Sequence, residues 1–298
     1  MPETLINVSH LSRSFPIGKI AEVKAVDDVS FDLRSGEILG LVGESGSGKS
    51  TVAKCLMNIH RPTSGKICFE GIDINDHAAF KKHRRQLEAE RQIIFQDCAS
   101  SLNPRMKVVD IVSEPMRIHR VSPPRGSYRA EAEFQLFYVG LDSSFLDKYP
   151  TELSGGQRQR VAIARAVSMD PKLLVADEPV ASLDVSIQAQ IINLFAHLRE
   201  EHGYSILFIA HDLAMVEYLC DRIGVMYRGK LVELADTEEL FAHPQHPYTQ
   251  ALLSAIPIPD PILERNRPRV NFDEAAWESD GVFTEVAPGH MVLRGDSH

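Results

Sequence analysis

The sequence predicts an α/β fold built on a largely parallel β-sheet, and three observations carry this prediction. Short apolar runs typical of strands buried inside a sheet occupy residues 37–42, 172–176 and 205–210. A glycine-rich stretch and a helical segment over residues 51–59 follow the first run. After the second run, apolar residues recur at helical spacing, at Ile187, Ile191, Leu194 and Leu198.

The glycine-rich stretch after the first strand fits the phosphate-loop pattern G-x-x-x-x-G-K-[ST]. It comprises Gly43, Glu44, Ser45, Gly46, Ser47, Gly48, Lys49, Ser50 and Thr51. Its glycines let the backbone aim successive N–H groups at phosphate oxygens, with the positive end of a helix behind them. Lys49 would reach the β- and γ-phosphates, and Ser50 would ligate Mg²⁺. A Gly/Ser turn with an incidental lysine is the alternative, but the flanking strand and helix favour phosphate binding.

Length and composition restrict the possible classes of protein. With 298 residues, 44% of them hydrophobic, the chain can form one large domain or two smaller ones. A net charge of −9 argues against a general nucleic-acid binder. No apolar run approaches the roughly 18 residues that span a bilayer, and the N-terminus lacks the apolar core of a signal peptide. We therefore expect a cytosolic protein that reaches a membrane only through a partner.

Four cysteines, Cys55, Cys68, Cys98 and Cys220, are widely spaced and form no C-x-x-C pair. A zinc or iron–sulfur site needs clustered ligands, and disulfides are uncommon in the cytosol. We expect most of these cysteines to be buried free thiols.

The region before the phosphate loop has β character over residues 5–33. We expect antiparallel strands there, with an irregular stretch over residues 12–24 and a turn at Asp27 and Asp28. Phe15 lies about 28 positions before the loop. Its ring could stack on an adenine, although the spacing alone favours a core phenylalanine.

Between residues 61 and 97 the sequence predicts a turn, a strand, a polar helix over residues 76–91 and a second strand. The basic side chains of that helix are interleaved with acidic ones and are interpreted as a solvated face; they are Lys81, Lys82, Arg84 and Arg85. Gln96 ends the second strand, where its amide oxygen could orient water or ligate Mg²⁺. Taken alone, it would be an ordinary surface glutamine.

From residue 98 to 149 prolines punctuate helical patterns such as residues 129–139, which predicts an inserted helical subdomain. Leu153 then leads into Ser154, Gly155, Gly156 and Gln157, immediately before a helix over residues 158–168. A serine and two glycines at a helix start form a second anion-binding helix N-terminus. Alone this stretch would be an N-cap with a flexible lead-in. A nucleotide held by another molecule would explain a second anion site.

Polar residues follow the two later buried strands. Asp177 is placed to hold Mg²⁺ and Glu178 to act as a general base towards water, with a structural acid pair as the alternative. The loop that follows ends at Asp184, which we expect to cap the next helix. His211 comes where the third strand ends and could hydrogen-bond a γ-phosphate, although an isolated histidine is more often structural.

The C-terminal third predicts a hairpin over residues 222–234 that turns at residues 228–230, and a helix within residues 243–259 bounded by prolines. The last forty residues are rich in loop-forming residues and predict one terminal strand.

The order of these features resembles the nucleotide-binding subunit of an ATP-binding cassette transporter over nearly the whole chain. Three stretches, residues 25–33, 93–119 and 243–257, resemble the ATPase subunits of oligopeptide/dipeptide importers, most closely the second of the two ATPases that such importers carry. The resemblance implies two cassettes facing head to tail, with each ATP between the phosphate loop of one and the LSGGQ stretch, residues 153–157, of the other.

The resemblance also implies a P-loop NTPase (RecA-like) core with an antiparallel β subdomain, an inserted α-helical subdomain and a short C-terminal extension. We expect residues 1–97 to form the β subdomain and the first part of the core. The helical subdomain, residues 98–153, would contact a permease. The second part of the core would occupy residues 154–240, and the extension residues 241–298.

Site residues are carried over from the family position by position. Phe15 matches the adenine-stacking position, residues 43–51 bind the phosphates, and Ser50, Gln96 and Asp177 surround Mg²⁺. Glu178 activates water, and His211 senses the γ-phosphate. The stretch that completes the partner's site is Ser154, Gly155, Gly156 and Gln157, and the loop at Asp184 crosses the dimer interface.

One departure from the family is expected to matter. Many relatives carry a C-terminal cysteine cluster able to hold iron and sulfur, whereas residues 265–298 here contain no cysteine. ATP and Mg²⁺ are therefore the expected cofactors, without an iron–sulfur cluster.

The resemblance implies transmembrane permease subunits, a second cassette and, indirectly, a substrate-binding protein as partners, with no nucleic acid. The expected location is the cytoplasmic face of the inner membrane, held there peripherally. The same type of motor also serves glutathione, nickel or opine uptake. A soluble ATPase acting on nucleic acid or the ribosome, and a small-molecule kinase, are further alternatives.

Overall fold

Two β-sheets organise the part of the chain that the computed structural model describes, namely residues 3–18, 21–181, 183–256, 270, 272–273, 277 and 281–295. The strands are β1 (Thr4–Ile17), β2 (Ala21–Arg34), β3 (Ile38–Val42), β4 (Ser64–Phe69), β5 (Ile72–Asp73), β6 (Arg91–Ile94), β7 (Leu173–Asp177), β8 (Ser205–Ile209), β9 (Arg222–Tyr227), β10 (Lys230–Asp236), β11 (Gly281–Ala287) and β12 (His290–Gly295).

The α-helices of the described residues connect these strands or extend from them. They are α1 (Lys49–Leu56), α2 (His77–Glu90), α3 (Cys98–Ser101), α4 (Val108–His119), α5 (Tyr128–Tyr138), α6 (Gly155–Val167), α7 (Val185–His202), α8 (Leu213–Leu219), α9 (Thr237–Ala242) and α10 (Pro247–Ser254).

The larger sheet has the strand order β11-β12-β10-β9-β3-β8-β7-β6. Strands β9, β3, β8, β7 and β6 are parallel neighbours, and β10, β12 and β11 continue the sheet as antiparallel strands. Every residue of β3, β7 and β8 is buried, as expected for a parallel sheet covered on both faces. The α/β prediction is thus confirmed, and the carboxyl ends of the parallel strands define one edge where the candidate residues meet.

The smaller sheet is antiparallel, with the order β2-β1-β4-β5. The antiparallel strands expected over residues 5–33 are confirmed as β1 and β2. The turn expected at Asp27 and Asp28 is wrong, because both residues lie in β2. The irregular stretch expected over residues 12–24 is wrong for residues 12–17 and 21–24, which belong to β1 and β2, and Phe15 pairs with Val23. The pairing of β1 with β2 contains several register shifts. Each shift accommodates an extra residue as a bulge, so the strands continue although the sequence lacks a regular alternation. Asp28 adopts a positive φ of 58° within β2, a conformation that aspartate tolerates better than most residues.

Helices α3, α4 and α5 lie in the region where the sequence predicts a helical insertion, and α5 coincides with the helical pattern seen over residues 129–139. One continuous apolar core joins this insertion to the sheet. It contains Val112 of α4 and Leu136 of α5 as well as Ala176 of β7 and Phe208 of β8. Arg165 of α6 also donates a hydrogen bond to the carbonyl of Ser101 at 2.7 Å.

The hairpin predicted over residues 222–234 is confirmed as β9 and β10, and its turn has positive φ at both Arg228 and Gly229. The helix expected within residues 243–259 is confirmed as α10, Pro247–Ser254, although residues 257–259 lie outside the described part. The preceding short helix, α9, was not expected. Among the described residues of the C-terminal region, two terminal strands are present instead of one, and β12 joins the main sheet beside β10. They escape sequence reasoning because β11 is half-exposed and lacks a strong apolar alternation.

The cysteine prediction is confirmed. All four cysteines are free thiols; Cys55, Cys98 and Cys220 are buried, and Cys68 of β4 is partly exposed.

Candidate functional site

The phosphate loop connects the end of β3 to the start of α1. Its glycines at positions 43, 46 and 48 have φ of 143°, 82° and 106°, conformations that strain other residues. A Cβ on Gly43 would lie 2.1 Å from the Met226 carbonyl oxygen, and one on Gly48 would lie 2.2 Å from the Ala25 carbonyl oxygen. These glycines therefore permit both the loop's path and its close approach to β9 and β2.

Lys49 is a buried cation inside this loop, with only 4% of the residue exposed. Its ammonium donates to the carbonyl oxygens of Gly43 at 2.7 Å and Glu44 at 2.8 Å, and to Ser47 Oγ at 3.2 Å. Burial lowers the pKa of Lys49, while the carboxylates of Glu178 and Asp177 oppose that shift. A desolvated ammonium at a glycine loop is suited to an anionic ligand.

The start of α1 strengthens the attraction for anions. Gly48 is its N-cap and supplies no side-chain cap, and no acidic residue lies in the first turn. The first amides of a helix have no acceptor inside it, so they carry the positive end of the helix dipole outward. The loop and the helix thus fit the phosphate groups of a nucleotide.

Ser50 and Asp177 form a pair of oxygen donors beside the loop. The Ser50 hydroxyl donates to Asp177 Oδ1 at 2.8 Å, and Asp177 is 3% exposed at the end of β7. Burial raises the pKa of the Asp177 carboxyl, and the bond from Ser50 opposes this. Hydroxyl and carboxylate oxygens next to a phosphate site are the ligands that Mg²⁺ prefers, so these residues fit the metal.

Glu178 meets Gln96 and His211 at the same edge of the sheet. The Gln96 side-chain amide donates to Glu178 Oε2 at 2.7 Å, and His211 Nδ1 lies 3.6 Å from that oxygen. Gln96 lies two residues beyond the end of β6, not at its last residue as expected. The three side chains come from the ends of β6, β7 and β8, so the sheet brings together residues that are far apart in sequence.

The LSGGQ stretch starts helix α6. Ser154 is its N-cap, and a capping box joins Ser154 and Gln157: the Ser154 amide donates to Gln157 Oε1 at 2.9 Å and the Gln157 amide donates to Ser154 Oγ at 3.3 Å. Ser154 and Gly155 are exposed. Across the described residues, no hydrogen bond or ion pair connects this stretch to the chain's own phosphate loop. A Cβ on Gly156 would come within 2.7 Å of Ile187 Cγ2, so this glycine allows close packing on α7.

Two further candidate residues lie outside these groups. The half-buried Phe15 ring makes an edge contact with His60, at 5.3 Å between centroids, and the Arg13 guanidinium lies 4.5 Å from its centre. Asp184 is the N-cap residue of α7, but its side chain makes no capping hydrogen bond, contrary to expectation.

Sequence reasoning missed Gly229 and Tyr248, two residues distant in sequence that form hydrogen bonds with the backbone of the phosphate loop. The Gly229 amide donates to the Ser47 carbonyl at 2.9 Å, and the Gly229 carbonyl accepts from the Asp27 amide at 2.8 Å. The hydroxyl of Tyr248 in α10 accepts from the Glu44 amide at 3.1 Å. The Arg-Gly turn and the His-Pro-Tyr run were visible in the sequence, but neither indicates a contact with a distant loop.

Comparison with known proteins agrees with this geometry. A family profile described as "ABC transporter" matches residues 26–181, more than half of the chain. The chain belongs to the ABC transporter family. A second profile, "Oligopeptide/dipeptide transporter, C-terminal region", matches residues 232–275. The resemblance stated from the sequence is thereby confirmed.

Relatives of this ABC ATPase match it end to end. It is 49% identical to the oligopeptide transport ATP-binding protein OppF of Bacillus subtilis, over 98% of this chain and 97% of the relative. It is 45% identical to the dipeptide transport ATP-binding protein DppF of Lactococcus lactis, over 98% and 94% of the two chains.

Solved ABC cassettes share the fold. A dimeric, post-hydrolysis cassette, MJ0796 bound to ADP and Pi, is 28% identical with a TM-score of 0.67, covering 78% of this chain and 98% of that one. The cbiO1 cassette of Clostridium perfringens, part of the cbiONQ transporter complex, is 29% identical with a TM-score of 0.69, covering 81% and 92%. The expected P-loop NTPase fold class is confirmed. Among the described helices of the ABC ATPase, none is both long and apolar enough to cross a membrane.

Proposed function

We propose that this ABC ATPase is the ATP-hydrolysing subunit that drives an importer for peptides or related small solutes. The observation that carries the proposal is the assembly of Glu178, Gln96 and His211 beside the Ser50–Asp177 pair, at the edge where the phosphate loop begins. The peptide class is supported by the C-terminal profile and by the names of the relatives.

The chain's own residues have distinct roles in hydrolysis. The loop amides and Lys49 bind the triphosphate, and Ser50, Asp177 and Gln96 are the residues that would hold Mg²⁺. Bound Mg²⁺ neutralises charge on the phosphate oxygens. Glu178 accepts a proton from the attacking water at its carboxylate. Gln96 holds that carboxylate in position through its 2.7 Å hydrogen bond. His211, 3.6 Å from the same carboxylate, would contact the γ-phosphate. Phe15 supports the adenine.

Nucleotide is shared between two cassettes in this proposal. The exposed start of α6 at Ser154, Gly155, Gly156 and Gln157 would face the ATP bound by a second cassette, and Asp184 would lie at that interface. The dimeric state of MJ0796 with ADP and Pi supports such pairing. ATP then favours closure because it contacts two protein surfaces only in the closed state. The partner cassette is a sister subunit or a second copy.

Membrane attachment would come through the helical insertion, residues 98–153. Ile118 is 68% exposed and Phe137 is 78% exposed, which suits contact with permease subunits. The assembly would lie peripherally on the cytoplasmic face of the inner membrane, with a substrate-binding protein delivering the solute on the other side.

The catalytic assignment is tested by Glu178→Gln, with phosphate release as the measurement. We expect turnover to fall by about 10²- to 10⁴-fold, because the amide no longer accepts the proton, while nucleotide affinity is retained. Lys49→Met should instead abolish tight binding in equilibrium dialysis. Glu88→Gln, which alters a carboxylate on exposed α2, is the control and should retain full turnover. Normal turnover in Glu178→Gln would remove Glu178 from its role.

The pairing of cassettes is tested with the same inactive variant. With ATP, Glu178→Gln should double its mass in size-exclusion chromatography with light scattering, using the partner cassette if this chain does not pair with itself. Adding Ser154→Arg should prevent pairing. Ser127→Arg is the matched control, because Ser127 is an exposed N-cap serine of α5 that likewise accepts a backbone amide, from Ala130 at 3.1 Å. Pairing that survives Ser154→Arg would refute the shared site.

A further inference from the structure

A hydrogen bond joins the phosphate loop to the C-terminal segment, by which we mean the chain from residue 241 onward. The Glu44 amide donates to the hydroxyl of Tyr248 across 204 positions of sequence, with 3.1 Å between the nitrogen and the oxygen. The two residues lie in regions matched by different family profiles, the cassette profile and the C-terminal profile. The C-terminal segment therefore contacts the part of the cassette that handles phosphate.

The His-Pro-Tyr run explains how Tyr248 is held there. His246 is the N-cap of α10, where its Nδ1 accepts from the Tyr248 amide at 3.1 Å, and Pro247 occupies the first turn. Burial lowers the pKa of His246, which keeps the imidazole neutral and able to accept. The His246 amide in turn donates to Glu233 Oε2 at 3.0 Å, and Glu233 is fully buried in β10.

The ring of Tyr248 is fixed as firmly as its backbone. The residue is 2% exposed, and its ring centre lies 4.4 Å from that of Tyr227 and 5.4 Å from that of Phe272. Tyr227 directly follows Met226, whose carbonyl abuts Gly43. The Tyr248 hydroxyl is therefore held in a fixed position beside the Glu44 amide.

The bond sets the orientation of one peptide plane. The Glu44 N–H and the Gly43 C=O belong to the same peptide unit and point in opposite directions, because the unit is trans. With the N–H directed to Tyr248, the carbonyl is directed to the Lys49 ammonium, 2.7 Å away. Gly43 has φ of 143° and no side chain, so little else in the residue resists rotation of that plane.

We propose that Tyr248 is a positioning residue of the phosphate loop: its hydroxyl holds the Gly43–Glu44 peptide plane so that the Gly43 carbonyl holds Lys49 in place for the nucleotide phosphates. The proposal rests on nucleotide binding at this loop, as proposed above. It gives the C-terminal segment a role in nucleotide affinity.

The test compares Tyr248→Phe with wild type and with Tyr204→Phe, using ADP in equilibrium dialysis and thermal unfolding without nucleotide. Tyr204 is the matched control, because its buried ring also makes a hydroxyl hydrogen bond, to Asp170 at 2.9 Å, away from the loop. Each variant loses one hydroxyl bond, so both should shift the melting temperature by no more than about 2–4 °C. We expect the ADP dissociation constant to rise roughly 3- to 10-fold in Tyr248→Phe alone.

Amide hydrogen exchange on the wild type supplies a second measurement that depends neither on a variant nor on nucleotide. Glu44 is an exposed residue, yet its amide should exchange slowly because Tyr248 accepts it. In Tyr248→Phe that amide should exchange faster than in Tyr204→Phe.

Several outcomes would overturn the proposal. Unprotected Glu44 exchange in the wild type would exclude the bond, even if Tyr248→Phe failed to fold. Unchanged ADP affinity in Tyr248→Phe, or an equal loss in both variants, would exclude the role of Tyr248 and leave the proposed function intact. A wild type that bound no nucleotide would refute the proposed function, and with it the role of Tyr248.

Discussion

Glu178 follows β7 in a left-handed backbone conformation, with φ of 48°. Such a conformation costs roughly 1 kcal/mol in a residue other than glycine, asparagine or aspartate. It is maintained because the Glu178 amide donates to the Ile209 carbonyl at 3.0 Å and the Glu178 carbonyl accepts from Ala181 at 3.3 Å. The strained backbone directs the carboxylate towards Gln96 and His211. The strain therefore lowers the free energy of unfolding at the residue to which we assign the general base.

Glu178→Asn is therefore expected to stabilise the protein while abolishing turnover. Asparagine adopts positive φ more readily, and removing the charge relieves repulsion with Asp177, which shares the same strand end. We expect the free energy of unfolding to rise by about 0.5–1 kcal/mol in urea denaturation without nucleotide. A loss of stability would show that the Gln96 contact outweighs the strain.

Sequence reasoning selected the candidate site residues because each follows a local pattern: the glycine loop, a buried strand that ends in acidic residues, and a strand that ends in histidine. Their roles stay a prediction. It did not anticipate the positive φ of Glu178 or the contact between Glu44 and Tyr248. The first depends on hydrogen bonds to a neighbouring strand, and the second joins positions 204 apart. Neither leaves a signal in a short window of sequence.

At the scale of elements, Arg222 connects β9 to β2 and to the turn that precedes β3. It lies at the start of β9, and its guanidinium contacts Glu37 Oε1 at 3.1 Å and Asp32 Oδ1 of β2 at 3.2 Å. Arg222 and Glu37 are both buried, and burial raises the pKa of Glu37 despite the neighbouring guanidinium. The Glu37 carboxylate also accepts from the Arg34 amide at 2.7 Å, which fixes the turn between β2 and β3.

Arg222→Met should lower the free energy of unfolding by about 3–5 kcal/mol, because it leaves the Glu37 carboxylate buried without its cation. Adding Glu37→Met should restore part of this loss, since the uncompensated charge is then removed. Arg84→Met breaks an exposed pair with Glu88 and should leave stability unchanged in the same denaturation experiment. Additive losses in the double variant would contradict the coupling.

The cap of α10 predicts a pH dependence. Burial lowers the pKa of His246 in the folded state below its ordinary value of 6.5 in the unfolded chain. Its contribution to stability is therefore complete above about pH 6.5 and is lost as the pH falls through the lower, folded-state pKa. The neighbouring Glu233 carboxylate opposes the shift, and the Phe272 ring lies on the other side, at 6.3 Å between ring centres.

His246→Asn retains a side chain that can cap the helix but does not titrate. Between pH 7.5 and 5.5, the wild type should lose more unfolding free energy than this variant does, as measured by urea denaturation at a series of pH values. The variant can start from a lower stability, because it lacks the ring; only the slope against pH is compared. Equal slopes would show that His246 does not change protonation in this interval.

Sequence patterns predicted elements well where they are short and uniformly buried, as for β3, β7 and β8. They predicted antiparallel strands over residues 5–33 but missed the full length of β1 and β2, where aspartates inside a bulged strand resemble a turn. They also failed at the C-terminus, where β12 owes its place to pairing with β10 and not to its own pattern. In both regions the strands form because they pair with other strands, and a short window of sequence does not contain that information.

At the scale of the whole molecule, a cluster of aromatic rings connects the C-terminal segment to the main sheet. Trp277, the single tryptophan of the chain, lies edge-on to Tyr227, with 5.0 Å between ring centres. Its fluorescence therefore reports whether the C-terminal segment is docked at the end of β9.

We expect Trp277 emission to shift to the red on urea unfolding at the same urea concentration at which the helical circular dichroism is lost. Coincident transitions are expected because the aromatic cluster is continuous with the main apolar core, of which Tyr227 and Tyr248 are members. An earlier fluorescence transition would show that the C-terminal segment undocks before the cassette unfolds.

The unequal environments of the four thiols make the natural chain ready for single-site labelling. Burial raises the pKa of Cys55 and of Cys98 to about 11, and it raises that of Cys220 well above its ordinary value. A maleimide dye reacts with thiolates that it can reach, so it should attach to Cys68 of β4, away from the phosphate loop. A fluorophore could thus be placed on the cassette without engineering a cysteine, and its approach to a labelled partner could be followed during turnover.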